Sequence, residues 1–328
     1  MASSSAVAAA SFFIGGKALA ADPEFVIKLG TTAPAGTPWE KALKSWKRRV
    51  KSATDGRVKI KAYWGGALGD EQTVVDRVAR GGVQVCGGSA GGYANKVPEL
   101  EGIELPYLFP TLNAADKALD SSYDFLDGLL NRRGFKLLFY SENGRRSIGL
   151  KGGFVKSPSD LKGKKMRSQQ TDAHINTWRG LGASPVPMPV TEVLSSLQTG
   201  VVDGFDNTPL FTFAASWYQA VDHFTLTQHS YQPGIIAMNK EYWDSLPADI
   251  QTALLGDPAA EARKHRKMVR AMEPVLVENF RSAGIAVHDS TAAEKAVFAK
   301  ATKSAHAKFR KKHSGDGSKM LAKFEAAM

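Results

Sequence analysis

The residues of this sequence that could do chemistry are sparsely set. The histidines are His174, His223, His229, His265, His288, His306 and His313, and only His223 and His229 are near neighbours. A zinc site needs three or four His, Cys or carboxylate ligands. No carboxylate or cysteine is spaced to complete a set around that pair, so structural histidines are expected rather than a metal centre. The lone Cys86 lies in Val83-Gln84-Val85-Cys86-Gly87. It has no partner for an internal disulfide, and its apolar neighbours supply none of the positive charge that activates a thiolate, so it reads as a small buried hydrophobe. The run Gly87-Gly88-Ser89-Ala90-Gly91-Gly92 follows a strand-like segment but fails the spacing of both the dinucleotide and the P-loop fingerprints, and no Lys-Ser/Thr follows it. Its missing side chains are expected to let backbone approach a ligand in a cleft. Gly87-Gly88-Ser89-Ala90-Gly91 within the run has the Gly-x-Ser-x-Gly spelling, but that spelling alone does not supply the histidine and acid of a triad. With no base or metal set recognisable beside it, the chain reads as a binder rather than an enzyme, with no cofactor implied.

Such a binder needs room. At 328 residues the chain exceeds the roughly 250 to 300 residues at which single cores stop growing, so two domains are expected. A hydrophobic content of 43% and a charged content of 23% are those of a globular protein. The formal net charge of +11 would suit a nucleic-acid binder if the cations formed one patch with aromatic or motif signals. They are instead spread over helical segments such as Glu261-Ala262-Arg263-Lys264-His265-Arg266-Lys267, which reads as a solvated helix face. Nucleic acid is therefore not an expected partner. The first twenty residues form a small-residue and apolar run ending in Ala18-Leu19-Ala20, the A-x-A form cut by a signal peptidase. Residues 1–20 are read as a signal peptide without a basic n-region, the mature chain beginning near Ala21 in the periplasm. No later run reaches the roughly 18 apolar residues of a membrane span.

After the leader, strand-like and helical patterns alternate, as in a mainly parallel sheet covered by helices. Strands are expected at Phe25 to Gly30, Val58 to Tyr63 and Val83 to Gly87. Trp39, Ala42, Leu43, Trp46 and Val50 mark one helix face, and Val74, Val75 and Val78 another. A helix from about Ala114 to Arg133 leads into a strand Phe135 to Tyr140. A crossing between lobes is expected at Gly144-Arg145-Arg146, followed by strands Ser147 to Leu150, Lys165 to Ser168 and Val186 to Met188. Helices are expected at Asp172 to Leu181, with Gly182 at its C-cap, and at Val190 to Thr199. Near His229 the chain should return to the first lobe, with a strand Gly234 to Asn239 and helices bounded by Pro247 and Gly256. The final 70 or so residues are helical, broken by Gly284-Ile285-Ala286-Val287. The expected division is 21–144 plus 229–274 for lobe one and 145–228 plus 275–328 for lobe two.

One stretch narrows the function. It runs through Leu161-Lys162-Gly163-Lys164-Lys165-Met166-Arg167, Leu181-Gly182-Ala183-Ser184-Pro185-Val186-Pro187-Met188-Pro189, Leu197-Gln198-Thr199-Gly200-Val201-Val202-Asp203-Gly204-Phe205-Asp206-Asn207-Thr208-Pro209 and Tyr242-Trp243-Asp244-Ser245-Leu246-Pro247. Gly66-Ala67-Leu68-Gly69-Asp70-Glu71 and Leu105-Pro106-Tyr107-Leu108-Phe109-Pro110 precede it. This ordered set resembles the DctP-type extracytoplasmic binding proteins of tripartite ATP-independent periplasmic (TRAP) transporters, over nearly the whole mature chain. The resemblance implies an α/β, two-lobed periplasmic binding protein fold with crossing interlobe connections and a long helix spanning both lobes. It implies no catalysis, a small organic acid as ligand and integral membrane transporter subunits as partners.

The resemblance also implies a carboxylate-binding arginine at Arg167. A planar guanidinium holds a carboxylate through two parallel bonds, which lysine cannot reproduce. Asn207 matches a family asparagine, although Thr208 intervenes before Pro209, and its amide can both donate and accept. Arg146 matches a second, less universal arginine across a one-residue gap, with Arg145 competing for that place. Val190 stands where an aromatic is frequent, and with Ile148 and Leu150 it hints at an apolar or branched ligand body. Trp39, Tyr93 and Phe211 are candidate wall residues. A carrier of a larger hydrophobic molecule, or a periplasmic enzyme reusing the fold, are the alternatives.

Overall fold

The computed structural model describes residues 22–328, so the expected signal peptide and its cleavage site lie outside the described residues. One nine-stranded sheet organises the chain. Its strands are β1 (Phe25–Thr31), β2 (Val58–Tyr63), β3 (Val85–Ser89), β4 (Phe135–Leu150), β5 (Lys165–Ser168), β6 (Ser184–Pro187), β7 (Gly204–Asn207), β8 (His223–Asn239) and β9 (Ala286–Asp289). The order is β2-β1-β3-β8-β4-β7-β5-β6, with β9 paired to β8. β1, β2 and β3 run parallel, as do β5, β6 and β7.

The lobes are joined by strands rather than by loops. β4 and β8, of 16 and 17 residues, pair antiparallel from Phe135 opposite Asn239 to Leu150 opposite His223. One half of this ribbon continues into β3 and the other into β7. The segments Phe135 to Tyr140 and Ser147 to Leu150, expected as separate strands, are thus one strand. The polar interval Ser141 to Arg146 has no apolar alternation because its side chains serve a buried polar site. The register shifts between Glu142 and Gly144 and again between Arg146 and Ile148, and Gly144 there takes a φ of 109° that suits glycine. The expected crossing at Gly144-Arg145-Arg146 falls on this bulged middle.

Side chains alternate across the ribbon, so helices can cover both faces. In the first half Ile235 and Ala237 join one apolar cluster and Ile236 and Met238 the other. In the second half one cluster forms around Phe205, Trp217, Phe224 and Phe280, and another around Ile148, Met166, Trp178 and Phe298. Ile148 and Leu150 are 1% and 3% exposed in that last cluster, which removes them as hints about a ligand.

The helix Pro258–Ser282 spans both halves: Val269 and Leu276 pack in the first, Val277 and Phe280 in the second. At about 1.5 Å per residue its 25 residues extend over roughly 37 Å. Gly182 and Gly256, at φ 81° and 57°, end their helices as expected. The expected helix from Ala114 to Arg133 is two helices, Leu112–Ser121 and Tyr123–Asn131, broken at Ser122. The last helix, Asp316–Ala327, departs from the expected division. Its stripe of Met320, Leu321 and Phe324 packs in the first half against Phe109 and Leu119. Periodicity identifies a buried face but not the surface that receives it.

Candidate functional site

Between the halves lies a cleft of about 640 Å³ of atom-free space, part of it continuous with solvent. Its walls include Thr31, Ser89 and Asn207 at the carboxyl ends of β1, β3 and β7, where open α/β sheets place ligands. Arg146 and Gln232 reach it from the crossing strands.

Arg167 rises from β5 and is 3% exposed. Its Nη2 donates to the Met188 carbonyl at 3.1 Å, and its guanidinium lies over the Trp217 ring at 5.4 Å. No carboxylate of the described residues lies within ion-pair distance of it, and its buried Nε has no hydrogen-bond partner among them. Burial, reinforced by the charge of Arg146, pulls its pKa down to about 9. A buried cation without a counter-charge is costly. Among the described residues Arg167 belongs to no internal ion pair.

Arg146 is arranged differently. It is 1% exposed, with Nε donating to Asp206 Oδ2 at 2.6 Å and Nη2 to the Asp206 carbonyl at 2.5 Å. Its Nη1 donates to Gln232 Oε1 at 3.1 Å and Asn207 Oδ1 at 3.3 Å. Burial penalises Asp206, but the charge of Arg146 and the bond from His229 outweigh it and hold that carboxyl well below its usual range. Arg146, expected among the ligand-site residues, thus lines the cleft as half of a buried ion pair whose donors are largely occupied. Arg145, on the opposite face of β4, donates to the Pro110 carbonyl. Of the two arginines, Arg146 lines the cleft and Arg145 does not.

Asn207 also differs from expectation. Its Oδ1 accepts from Arg146 and from the Thr208 N–H at 2.8 Å, which fixes the amide orientation. The amide therefore offers the cleft its N–H₂ donors only. Val190 and Phe211 line the cleft. Phe211 packs edge-on against Trp217 at 5.4 Å, so it also supports the ring beneath Arg167. Trp39 lines the opposite wall and donates from Nε1 to the Glu142 carbonyl at 2.9 Å. Tyr93 does not reach the cleft. It is fully buried in the first lobe's core, donating to the Cys86 carbonyl at 2.8 Å. Its nearness in sequence to the glycine run is not nearness in space, because the short helix Ala90–Tyr93 turns its ring inward.

The glycine run has a role that the sequence reading missed. A Cβ on Gly92 would sit 2.5 Å from the Glu71 carboxyl carbon, and one on Gly91 would sit 3.2 Å from Glu104 Oε1. The glycines make room for two carboxylates. Glu71 accepts from the Ser89 N–H at 2.6 Å and the Ser89 hydroxyl at 2.8 Å. Glu104 accepts from the Gly91 N–H at 2.6 Å, His174 Nε2 at 2.8 Å and Gln232 Nε2 at 2.8 Å. Asp206 stands beside Asn207 in the family motif and Glu71 ends another. Their types and places were visible, but their partners, 60 and 18 residues away, were not.

Gly234 on β8 shows how tight the wall is. A Cβ there would overlap the Trp39 ring and sit 2.8 Å from Ser141 Cβ. Gly234→Ala should displace Trp39 and cost about 1–3 kcal/mol. Thermal melts and carboxylate titrations should both register it, whereas an unchanged melt and affinity would show that the ring moves freely.

Comparison with known proteins agrees with this architecture. The sequence profile of bacterial extracellular solute-binding protein family 7, DctP, matches residues 29–312. A solute-binding protein of Verminephrobacter eiseniae is 34% identical over 273 residues, spanning 82% of this chain and 80% of that one. The C4-dicarboxylate-binding periplasmic protein DctP of Rhodobacter capsulatus is 28% identical over 276 residues, 83% of each. A TRAP periplasmic solute-binding protein of Citrobacter koseri, crystallised with D-glucuronate, superposes with a TM-score of 0.83 at 29% identity, covering 90% of this chain and 98% of that one. The profile match spans most of the chain and the two-lobed fold agrees with it: this protein belongs to family 7 of the bacterial extracellular solute-binding proteins, the DctP family.

Proposed function

We propose that this protein captures a small organic anion by its carboxylate between the two lobes, in the periplasm, and delivers it to the integral membrane subunits of a TRAP-type transporter. The observation that carries this reading is Arg167, a guanidinium buried on the cleft wall with no carboxylate partner among the described residues. Asn207 supplies amide donors beside it, its orientation fixed by the Arg146–Asp206 pair. Lobe one is taken as residues 21–144 plus 229–274 together with the last helix, and lobe two as 145–228 with the remainder from 275.

Residues from both lobes line the cleft, and Gln169 Nε2 reaches Ser89 Oγ across it at 3.4 Å. A ligand drives closure only if it contacts the closed state better than the open one, and closure is the change that membrane subunits can sense. The ligand leaves chemically unchanged, because Asp70 and Glu71 are engaged by backbone and Ser89 donors, Arg146 is engaged by Asp206, and among the described residues no histidine lines the cleft to act as a base. A larger hydrophobic cargo is disfavoured because polar and charged side chains, among them Asp70, Glu71, Arg146, Arg167 and Gln169, share the walls with Trp39, Val190 and Phe211. Native mass spectrometry of protein recovered from cells should show an added mass of a small acid, released intact on denaturation. A lipid-sized or purely apolar adduct would overturn the reading.

A further inference from the structure

The carboxylate reading leaves the rest of the ligand open: the relatives described above include one named for C4-dicarboxylates and one holding a sugar acid. The cleft of this chain discriminates between the two. Arg146 and Arg167 are the only cations lining it among the described residues. Arg146 is neutralised by Asp206 at 2.6 Å, which leaves Arg167 as the single cation for a ligand carboxylate. The facing wall from lobe one carries acids, Asp70 and Glu71, and no base.

Glu71 is held firmly in that wall. Asp70 caps its helix through the Thr73 N–H at 2.9 Å, making Glu71 the first helical residue. Gly88 and Gly92 leave space for its side chain, and both oxygens are fixed by Ser89. A carboxylate has about four acceptor sites, of which Ser89 occupies two, so acceptor capacity remains on a half-buried group lining the cleft. Its charge favours the cationic forms of both Arg146 and Arg167, which sets it within electrostatic reach of the ligand carboxylate's seat. Burial raises the pKa of Glu71 and the two bonds from Ser89 oppose that rise, so the far end of a bound acid meets a fixed carboxylate acceptor. Hydroxyl donors are satisfied there, whereas a second carboxylate is repelled and finds no free cation.

Resting on the carboxylate reading above, we propose that Glu71 is a specificity-determining residue that restricts this site to hydroxylated monocarboxylates and excludes dicarboxylates. Calorimetric titration with D-glucuronate and with succinate provides the test, on the wild type and on Glu71→Gln, with melts of both unliganded proteins as the folding control. The wild type should bind D-glucuronate at least about 100-fold more tightly than succinate, as expected when one ligand satisfies a site's polar groups and the other leaves them opposed. Glu71→Gln should narrow that ratio at least tenfold, by losing D-glucuronate affinity and gaining succinate affinity. Wild-type affinities within tenfold of one another, or a ratio unchanged in a folded Glu71→Gln, would overturn the selection rule while leaving the carboxylate site standing. Binding of neither acid, nor of any other carboxylate in a thermal-shift screen, would overturn both. The wild-type ratio decides the matter even if the variant fails to fold.

Discussion

Arg167→Ala should weaken binding of the carboxylate ligand by roughly 30-fold to several thousandfold. Truncating one partner of a buried, hydrogen-bonded charge pair costs on the order of 2–5 kcal/mol, and about 1.4 kcal/mol corresponds to tenfold in affinity. Arg167→Lys should recover only part of the loss, because lysine restores a point charge without the planar fork and without the seat on Trp217. The unliganded protein should respond in the opposite sense. Arg167 is buried, close enough to Arg146 to be disfavoured by its charge, and unpaired among the described residues. Its removal should therefore leave the melting temperature unchanged or raise it. The depressed pKa gives the same sign. Below about 9 the folded state carries a charge that costs stability, and this cost is relieved as pH rises through that value, while the unfolded arginine stays protonated. Calorimetric titrations with D-glucuronate and ligand-free melts of the wild type and both variants measure these effects. Unchanged affinity in a folded Arg167→Ala would move the anion site elsewhere.

Asp206→Ala should be among the most destabilising single substitutions in the chain, at about 3–5 kcal/mol, because it leaves Arg146 buried and uncompensated. The loss extends beyond one pair, since Asp206 also accepts from His229 at 3.2 Å and fixes the arginine that orients Asn207. A double replacement, Arg146→Met with Asp206→Leu, should recover much of the stability, because paired apolar groups of similar volume avoid the desolvation penalty. It should not recover binding, since the bond from Arg146 that orients Asn207 is lost. Acid sensitivity should follow as well. The folded pKa of Asp206 is depressed, so its stabilisation is full above the unfolded value of about 3.9 and is lost as pH falls below it. Urea melts between pH 3 and 7 should show that component in the wild type and not in the double variant. A single Asp206→Ala that melts like the wild type would contradict this account of the pair.

The sequence carries the fold wherever one side of an element is apolar. The alternation of Val58 and Ile60 with lysines marks β2, and Trp39, Leu43, Trp46 and Val50 trace the buried face of the helix Pro38–Ala53. Patterning fails where polar side chains are buried. The middle of β4, from Ser141 to Arg146, falls at an expected crossing, and the first half of β8, with Thr225, Thr227, His229 and Gln232, reads as a strand and turn, although nearly all of these residues are buried in continuous strands. Their hydrogen-bond partners come from strands far away in the chain. The same cause hid half of the site. Arg167 and Asn207 stood out by residue type within a motif. The pairing of Arg146 with Asp206, the Trp217 ring under Arg167 and the Glu71 wall depend on contacts across 60, 50 and 18 residues, which no periodicity encodes. Tyr93 shows the converse, an aromatic beside a glycine run that turned into the core.

The central claim, that Arg167 seats the ligand's carboxylate, is tested most directly by a crystal structure of the protein with D-glucuronate bound. The carboxylate should lie between the lobes with its oxygens about 2.7–2.9 Å from the Arg167 guanidinium, in the bidentate geometry of a charge-assisted pair, and with Asn207 Nδ2 donating to one of them. A sugar acid bound with its carboxylate away from Arg167, or bound outside the cleft altogether, would contradict the account.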